Sequence, residues 1–183
     1  MLVRTARRFA ARVRDRIDGT LHQRRRKAAL SALEELGPRS VLFLCLGNVC
    51  RSPYAERVLE SLRPDGVSVD SAGFIKPGRP PADMAMEVAC ARGIEHSEHR
   101  SRVVSAADLQ SFDVVFFFDR HNKARLMGAP GVRPDRAFWL GDLEPEYGGR
   151  RAILDPWGKP KPEFERVFDR IERCVAEVNR GLT

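Results

Sequence analysis

A cysteine and an arginine stand six residues apart directly after an apolar run, in the segment VLFLCLGNVCRSPYAE. A loop that leaves the C-terminal end of a parallel strand and enters a helix presents backbone N–H groups, and the helix N-terminus favours a bound anion. Gly47 permits backbone conformations that other residues avoid, and Asn48 tolerates a left-handed one. Residues 46–51 are therefore predicted to form a nest of amides sized for a tetrahedral oxyanion.

The chemistry that this segment predicts is nucleophilic attack on phosphorus. Arg51 offers a planar fork for two oxygens of a bound phosphate. Cys45 lies at the base of the nest, in a positive field that favours the nucleophilic thiolate. Pro53 costs no hydrogen bond in the first turn of the helix. The alternative is a buried structural cysteine, but the preceding strand, the Gly-Asn pair and the helix all favour catalysis.

Strands and helices alternate on both sides of this segment. Strands are predicted near residues 40–45, 67–71, 113–118 and 136–140, and helices near 52–62, 81–92, 105–110, 120–127 and 162–180. Ser105 followed by Asp108 predicts a capping box. We expect an α/β fold, a three-layer sandwich with a four-stranded parallel sheet of order 2-1-3-4 and helices on both faces. The loop after the first strand then lies at the topological switch point, where such sheets bind ligands.

The positive charge of the chain is concentrated near its N-terminus. The 183 residues carry a net charge of +7, and residues 1–38 hold ten Lys and Arg against four Asp and Glu. That segment therefore accounts for +6, which leaves +1 for the remainder. Because the body is nearly neutral, we do not expect a nucleic-acid-binding protein.

Residues 1–38 are predicted to form a basic helical extension to a domain that spans residues 39–183. Apolar residues recur at three- and four-residue steps between Leu2 and Leu21, which predicts an amphipathic helix weakened at Gly19. A second helix is predicted to end at Gly37-Pro38. The extension suits an anionic membrane surface or an acidic protein partner, or it packs on the domain as a solvated hairpin.

The cysteine content and the apolar runs predict the compartment. No run approaches the roughly 18 apolar residues of a membrane-spanning helix, and Arg4, Arg7 and Arg8 interrupt the start of the chain, unlike a secretory signal. Four cysteines do not resemble a secreted disulfide framework. We expect a cytoplasmic monomer, with membrane-surface association through the extension as an alternative.

The segment CLGNVCRSPYAE resembles the active-site signature of the low-molecular-weight protein tyrosine phosphatases. Further matches follow in that family's order: SAG at 71–73, GI at 93–94, HRSR at 99–102, a strand and then Asp over 113–119, DPW at 155–157, and the closing helix. The resemblance covers about residues 39–183. It implies hydrolysis of phosphotyrosine in a protein or a small aryl phosphate through a cysteinyl-phosphate, without a metal or other cofactor.

The resemblance also assigns roles to individual residues. Asp155 matches the general acid, which protonates the leaving phenolate and, once ionised, takes a proton from the attacking water. Asp119 would hold Arg51 in place, although capping of the following helix is an equally good account. Ser71 and His99, together with Ser52, would pin the loop asparagine. The residues expected to bind phosphate or substrate are Leu46, Gly47, Asn48, Val49, Cys50, Ser52 and Trp157.

Two features of the predicted pocket depart from the family or stay open. Trp157 would stack on the phenyl ring of the substrate, where many members carry Tyr. Phe74 is the nearest candidate for a second aromatic wall. Cys50 would face Cys45 across the loop, either as a disulfide partner that protects the thiol or as a buried structural cysteine.

Three other functions compete with the phosphatase. Arsenate reductases of the same fold need a relay of further cysteines, but Cys90 and Cys174 are predicted to be core residues of helices. A zinc site built from Cys45, Cys50, His96 and His99 fails because the two histidines are too close in sequence. A phosphate-binding docking protein that acts through residues 1–38 is disfavoured because the cysteine, the arginine and the acid are all present.

Overall fold

A computed structural model describes residues 20–62, 66–146 and 149–182 of the chain. The described residues 20–36 form helix α1. The strands are β1 (Ser40–Leu44), β2 (Ser68–Ala72), β3 (Val114–Phe117) and β4 (Ala137–Trp139). The other α-helices are α2 (Arg51–Ser61), α3 (Asp83–Cys90), α4 (Ala106–Ser111), α5 (Arg120–Met127) and α6 (Lys161–Arg180). Short 3-10 helices cover Pro134–Arg136 and Leu140–Leu143.

The four strands form one parallel sheet in the order β2-β1-β3-β4. Leu44, the last residue of β1, lies opposite Ala72 of β2 and Phe117 of β3. The ends of these strands therefore meet at one edge, on the two sides of the point where the strand order reverses. The predicted fold class and strand order are confirmed, and the phosphate-loop segment begins at that reversal point.

The central strands bury both of their faces, as a sheet covered by helices requires. Along β1, Phe43 packs against Phe116 on the face covered by α2 and α6, whereas Leu42 and Leu44 belong to a second cluster on the opposite face. This alternation follows from the two-residue period of a strand. Helix α6 is amphipathic, and its apolar residues recur every three or four positions, which seats it on α2 and the sheet.

Helix α1 packs on the body of the protein. Ala29 and Leu33 are buried in the same core cluster as the first strand. His22 is also buried, and Arg26 forms an ion pair with Glu177 of α6. The helix ends before Gly37, whose φ of +51° suits glycine at a helix terminus. The amphipathic stripe predicted from Leu2 to Leu21 lies outside the described residues, apart from Leu21.

The bounds predicted for β1–β4 and α2–α6 lie within two residues of the observed ones. The capping box of α4 is present, because Ser105 Oγ accepts from the Asp108 N–H at 3.1 Å and the Asp108 carboxylate accepts from the Ser105 N–H at 2.7 Å. The two 3-10 helices were not predicted, since each is a short turn fixed by tertiary contacts. None of the helices in the described ranges is both long and apolar enough to cross a membrane.

Candidate active site

The loop after β1 turns its carbonyl groups outward. The carbonyl of Leu46 accepts from the N–H of Phe74, that of Gly47 from the Arg79 guanidinium, and that of Asn48 from His99 Nε2, at 2.8–2.9 Å. The carbonyl of Val49 accepts from the N–H of Ala82. Because the C=O and N–H of a trans peptide point in opposite directions, the next N–H groups point inward, and that of Asn48 donates to Cys45 Sγ at 3.2 Å. These contacts create the predicted nest.

Asn48 holds the loop in a left-handed turn with φ of +52°, and its side chain is fully buried. Its amide Nδ2 donates to Ser52 Oγ at 3.0 Å and to Ser71 Oγ at 2.7 Å. Its Oδ1 accepts from the backbone N–H of Arg102 at 2.9 Å. His99 contacts the backbone carbonyl of Asn48 rather than its side chain. The structure thus brings all four predicted supporting side chains together.

Gly73 allows the β2 end to approach this loop closely. A Cβ added at Gly73 would lie 2.9 Å from both the Asn48 nitrogen and the Leu46 carbonyl oxygen. Both are backbone atoms, so neither can move away as a flexible side chain would. The glycine of the SAG motif is therefore required by the space beneath the loop.

Cys45 is buried at the floor of the site. Besides the Asn48 N–H, its sulfur accepts from the Ser52 hydroxyl at 3.0 Å. One of these donors therefore comes from the phosphate loop and the other from the first turn of α2. Cys50 is also a free thiol, and burial, followed by the proximity of Cys45 and Asp155, raises its pKa above the ordinary value.

Arg51 is almost completely buried and is held on three sides. One terminal nitrogen donates to Asp119 at 2.6 Å and to the carbonyl of Ile153 at 2.9 Å, and the other donates to Asp155 at 2.6 Å. Its guanidinium lies 5.4 Å from the centroid of the Phe118 ring. Burial lowers the pKa of Arg51, but Asp155, Cys45 and Asp119 outweigh that effect and raise it. Among the described residues its Nε–H has no partner, so this donor is available to an anion.

Asp119 serves both of the roles that the sequence left open. One carboxylate oxygen accepts from the N–H of Asn122 at 2.8 Å and caps α5. The other oxygen accepts from Arg51. The residue therefore ties the orientation of the guanidinium to the start of α5.

The pocket above the loop has a volume of about 250 Å³. Its lining comprises Cys45, Leu46, Gly47, Val49, Cys50, Ile75, Lys76, Arg79, Asp155 and Trp157. Asp155 is partly exposed and accepts from the N–H of Trp157 at 3.1 Å. Trp157 is 58% exposed at the mouth, where it can meet a substrate ring.

Phe74 does not form the second wall, so that prediction was wrong. The side chain is half-buried and packs on the second core cluster. Ile75, Lys76 and Arg79 line the pocket instead. The chain bends at Phe74 and Ile75, directly after the bridge at Gly73, so the wall begins at the neighbour of the aromatic residue.

The model of the family "Low molecular weight phosphotyrosine protein phosphatase" matches residues 40–182. The chain belongs to this family. Its members are cysteine-dependent hydrolases. The low-molecular-weight protein-tyrosine-phosphatase Etp of Escherichia coli strain K12 is 33% identical over 82% of this chain and 99% of its own length.

Solved structures share the fold. Wzb of Vibrio vulnificus, in complex with benzylphosphonate, has a TM-score of 0.68 and 28% identity, over 78% of this chain and 97% of its own. The YwlE arginine phosphatase of Geobacillus stearothermophilus has a TM-score of 0.71 and 29% identity, over 79% and 93%. Both of these structures therefore align with this chain over nearly their whole length.

The other two cysteines of the phosphatase lie apart from the pocket. Cys174 is fully buried on α6, and burial raises its pKa above the ordinary value. Cys90 is exposed at the end of α3, so the prediction that it is a core residue was wrong. The buried face of α3 consists of Ala85, Val88 and Ala89, and Cys90 lies outside it. Within the described ranges, no group of three or more potential ligands could hold a metal ion.

Glu56 is a member of the site that sequence reasoning missed. It is buried, and the hydroxyl of Ser71 donates to its carboxylate at 2.5 Å. Burial raises the pKa of Glu56 to about 7, although the bond from Ser71 acts in the opposite direction. The spacing could have identified it, because Glu56 follows Ser52 by one helical turn and therefore lies on the same face of α2.

Proposed function

We propose that this phosphatase hydrolyses phosphotyrosine through a cysteinyl-phosphate formed on Cys45. The observation that carries the proposal is the arrangement around the Cys45 sulfur. It accepts two hydrogen bonds at the floor of a pocket that Asp155 also lines, and the Arg51 guanidinium donates to Asp155 at 2.6 Å. A phosphoryl group bound by the loop amides and Arg51 has the sulfur on one side and the carboxyl on the other.

In the first step the Cys45 thiolate attacks phosphorus, and the bond from phosphorus to the phenolic oxygen breaks. Asp155 gives its proton to that oxygen, so the leaving group departs as neutral tyrosine. Arg51 and the loop amides stabilise the charge on the equatorial oxygens of the transferring group. Asp119 and the Ile153 carbonyl hold the guanidinium in this orientation.

In the second step water attacks the cysteinyl-phosphate, and the bond between phosphorus and sulfur breaks. The ionised Asp155 takes a proton from the water as it attacks. The sulfur leaves as a thiolate, and the Ser52 hydroxyl, 3.0 Å away, stabilises its charge. Inorganic phosphate and the free enzyme result.

A cysteine variant tests the nucleophile. Cys45→Ser should abolish hydrolysis of an aryl phosphate but keep most of the affinity for vanadate, because the loop amides and Arg51 remain. Cys90→Ser is the matched control and should keep full activity, since that thiol lies on the surface of α3. Appreciable turnover by Cys45→Ser would refute the mechanism.

A leaving-group comparison tests Asp155. Asp155→Asn should lose roughly 10²–10⁴-fold on phosphotyrosine, the usual contribution of a general acid. The loss on an activated aryl phosphate should be clearly smaller, because its phenolate leaves without a proton. Arg51→Ala should slow both substrates alike. Equal losses on the two substrates for Asp155→Asn would exclude it as the acid.

Two other carboxylates of the preceding segment are occupied elsewhere. Asp142 accepts both hydrogen bonds of a bidentate pair from Arg151. Glu144 is buried and pairs with Arg170 and Arg173. Asp155 is therefore the better candidate for the acid.

Phosphoarginine is the second candidate substrate, because the neighbour from Geobacillus stearothermophilus is an arginine phosphatase. The pocket favours phosphotyrosine for two reasons. Trp157 offers a ring face at the mouth, and Lys76 and Arg79 place positive charge where a guanidine leaving group would sit. The ratio of kcat/KM for peptides that differ only in phosphotyrosine or phosphoarginine distinguishes the two. A ratio that favours phosphoarginine would overturn the assignment.

Arsenate reduction remains the alternative within the fold. It requires a relay of further cysteines downstream of the phosphate loop, whereas Cys174 is buried in α6 and Cys90 lies at the end of α3. Purified protein with thioredoxin or glutaredoxin should therefore show no arsenate turnover above background. Turnover that disappears in Cys90→Ser or Cys174→Ser would favour the reductase.

The exposed cations of α1 support contact with an anionic membrane surface or an acidic protein. Arg24 and Lys27 are exposed on the helix, while its opposite side is buried. Binding to vesicles that contain an anionic lipid should fall in the double variant Arg24→Glu, Lys27→Glu and should weaken with salt. Equal binding of the variant and the wild type would exclude this surface. The free cysteines fit a reducing, cytoplasmic compartment. Sedimentation equilibrium tests whether the protein is a monomer.

A further inference from the structure

Helix α1, which precedes the residues matched by the family model, contacts the segment that leads to Asp155. His22 is 1% exposed, and its Nε2–H donates to the backbone carbonyl of Glu144 at 2.8 Å. These residues are 122 positions apart in the sequence. Glu144 follows the 3-10 helix Leu140–Leu143 and begins the segment that ends at Asp155.

The side chain of Glu144, like its backbone carbonyl, is buried and hydrogen-bonded. It is 1% exposed, and its carboxylate accepts from Arg170 at 2.7 Å and from Arg173 at 2.7 Å. Both arginines belong to α6. These ion pairs couple any movement of Glu144 to Arg170 and Arg173.

The same Arg170 reaches the far end of the segment. Its guanidinium donates to the carbonyls of Arg150 at 2.7 Å and Ala152 at 3.0 Å. The next residue, Ile153, is fully buried; its N–H donates to the carbonyl of Phe118, and its carbonyl accepts from Arg51. A continuous set of hydrogen bonds therefore runs from His22 through Glu144 and Arg170 to the residues directly before Asp155.

We propose that His22 is a positioning residue that holds the start of the Asp155 segment and so keeps the carboxyl group in reach of the leaving oxygen. The proposal rests on the function of Asp155 as the general acid. Loss of the bond leaves a buried carbonyl without its donor, and the segment relieves this by moving toward solvent. Displacement of a catalytic group by about 1 Å costs as much as 10²-fold. Because only proton donation suffers, the loss depends on the leaving group.

A pair of amide substitutions tests this within the full chain. The Nε2 of glutamine occupies the position of histidine Nε2, whereas asparagine is one methylene too short. His22→Asn should therefore lose about 5- to 20-fold in kcat on phosphotyrosine and less than about 2-fold on an activated aryl phosphate. His22→Gln should recover most of that loss. The inhibition constant for vanadate should stay unchanged in both variants, because neither substitution touches the phosphate loop.

A second substitution on the same helix separates positioning from general loosening. Leu30→Ala removes apolar contact between α1 and the core but no hydrogen bond to Glu144. It should lower the melting temperature and leave the leaving-group dependence as in the wild type. The double variant His22→Asn, Asp155→Asn should show no further leaving-group effect beyond Asp155→Asn alone.

The outcomes distinguish the proposal from the function on which it rests. Equal losses on both substrates for His22→Asn, no loss at all, or the same selective loss in Leu30→Ala would overturn the role of His22. These results would leave the acid untouched if Asp155→Asn is itself selective. A non-selective Asp155→Asn would overturn the proposed acid instead. Selective loss in His22→Asn that His22→Gln restores would support the proposal.

Discussion

The left-handed turn at Asn48 makes two substitutions at one position informative. Asn48→Ala removes three side-chain hydrogen bonds, those with Ser52, Ser71 and the N–H of Arg102. Each contributes about 0.5–1.5 kcal/mol. Alanine must also adopt φ of +52°, which costs about 1–2 kcal/mol for a residue with a Cβ. We expect a total loss of about 3–6 kcal/mol in the free energy of unfolding.

Asn48→Gly separates the two contributions. It loses the same three hydrogen bonds, but glycine adopts a positive φ without steric cost. The greater freedom of glycine in the unfolded chain offsets part of this advantage, by about 0.4–1 kcal/mol. The glycine variant should therefore be more stable than the alanine variant by about 1 kcal/mol, the reverse of the order in a helix.

Urea unfolding followed by tryptophan fluorescence measures both differences. The two variants should have the same m-value as the wild type, since the surface exposed on unfolding is unchanged. An alanine variant at least as stable as the glycine variant would refute the strain argument. Losses under about 1 kcal/mol in both would refute the claim that the buried amide fastens the loop.

Three further predictions follow from buried groups and close contacts. Burial raises the pKa of Glu56 from 4.5 to about 7, so the folded state loses about 3 kcal/mol of stability as pH rises through this window. The free energy of unfolding of Glu56→Gln, measured in urea, should therefore rise relative to the wild type by that amount over the same window. Burial also lowers the pKa of His96 to about 4, so its contribution is lost as pH falls from 6.5 to 4, and His96→Asn should remove that acid-side loss. Gly141→Ala should cost more than about 2 kcal/mol, because its Cβ would lie 2.1 Å from the Arg151 carbonyl oxygen, whereas Gly149→Ala, with open space around it, should cost only the backbone strain of about 1–2 kcal/mol. A pH-independent difference for either charged site, or equal costs at the two glycines, would contradict these expectations.

The sequence predicted the phosphate loop because the determinants that set its position and turn are local. A strand, a Gly-Asn pair, an arginine and a helix start all fall within Val41–Glu56, and the conformation follows from backbone sterics and helix-end electrostatics. The sheet order was accessible for a related reason, since right-handed crossovers and short connections leave few arrangements of four parallel strands. Even so, the outward carbonyls that create the nest depend on donors from Phe74, Arg79 and Ala82, which no local pattern identifies.

The walls of the pocket were harder to predict than its floor. Phe74 was the reasonable choice for a second wall on residue type, but the direction of its side chain depends on the bend at Phe74 and Ile75. The structure turns Phe74 to the core and Ile75 to the pocket. Lys76, at φ of +48°, is fixed because its carbonyl accepts from both Arg79 and Ser101. A positive φ at a lysine, unlike the one at Asn48, is a tertiary effect and has no sequence signal.

The N-terminal helix illustrates why a charge pattern alone predicts little about a contact. Its arginines and lysine suggested a solvated or membrane-facing element, and charge was indeed the dominant signal in that segment. Arg26 does form an ion pair with Glu177, but the buried contacts come from a histidine, an alanine and a leucine. The atom that His22 contacts is a backbone carbonyl, whose position no sequence pattern indicates. Because that carbonyl begins the segment that ends at Asp155, a helix that precedes the family domain gains an effect on proton transfer without any residue in the pocket.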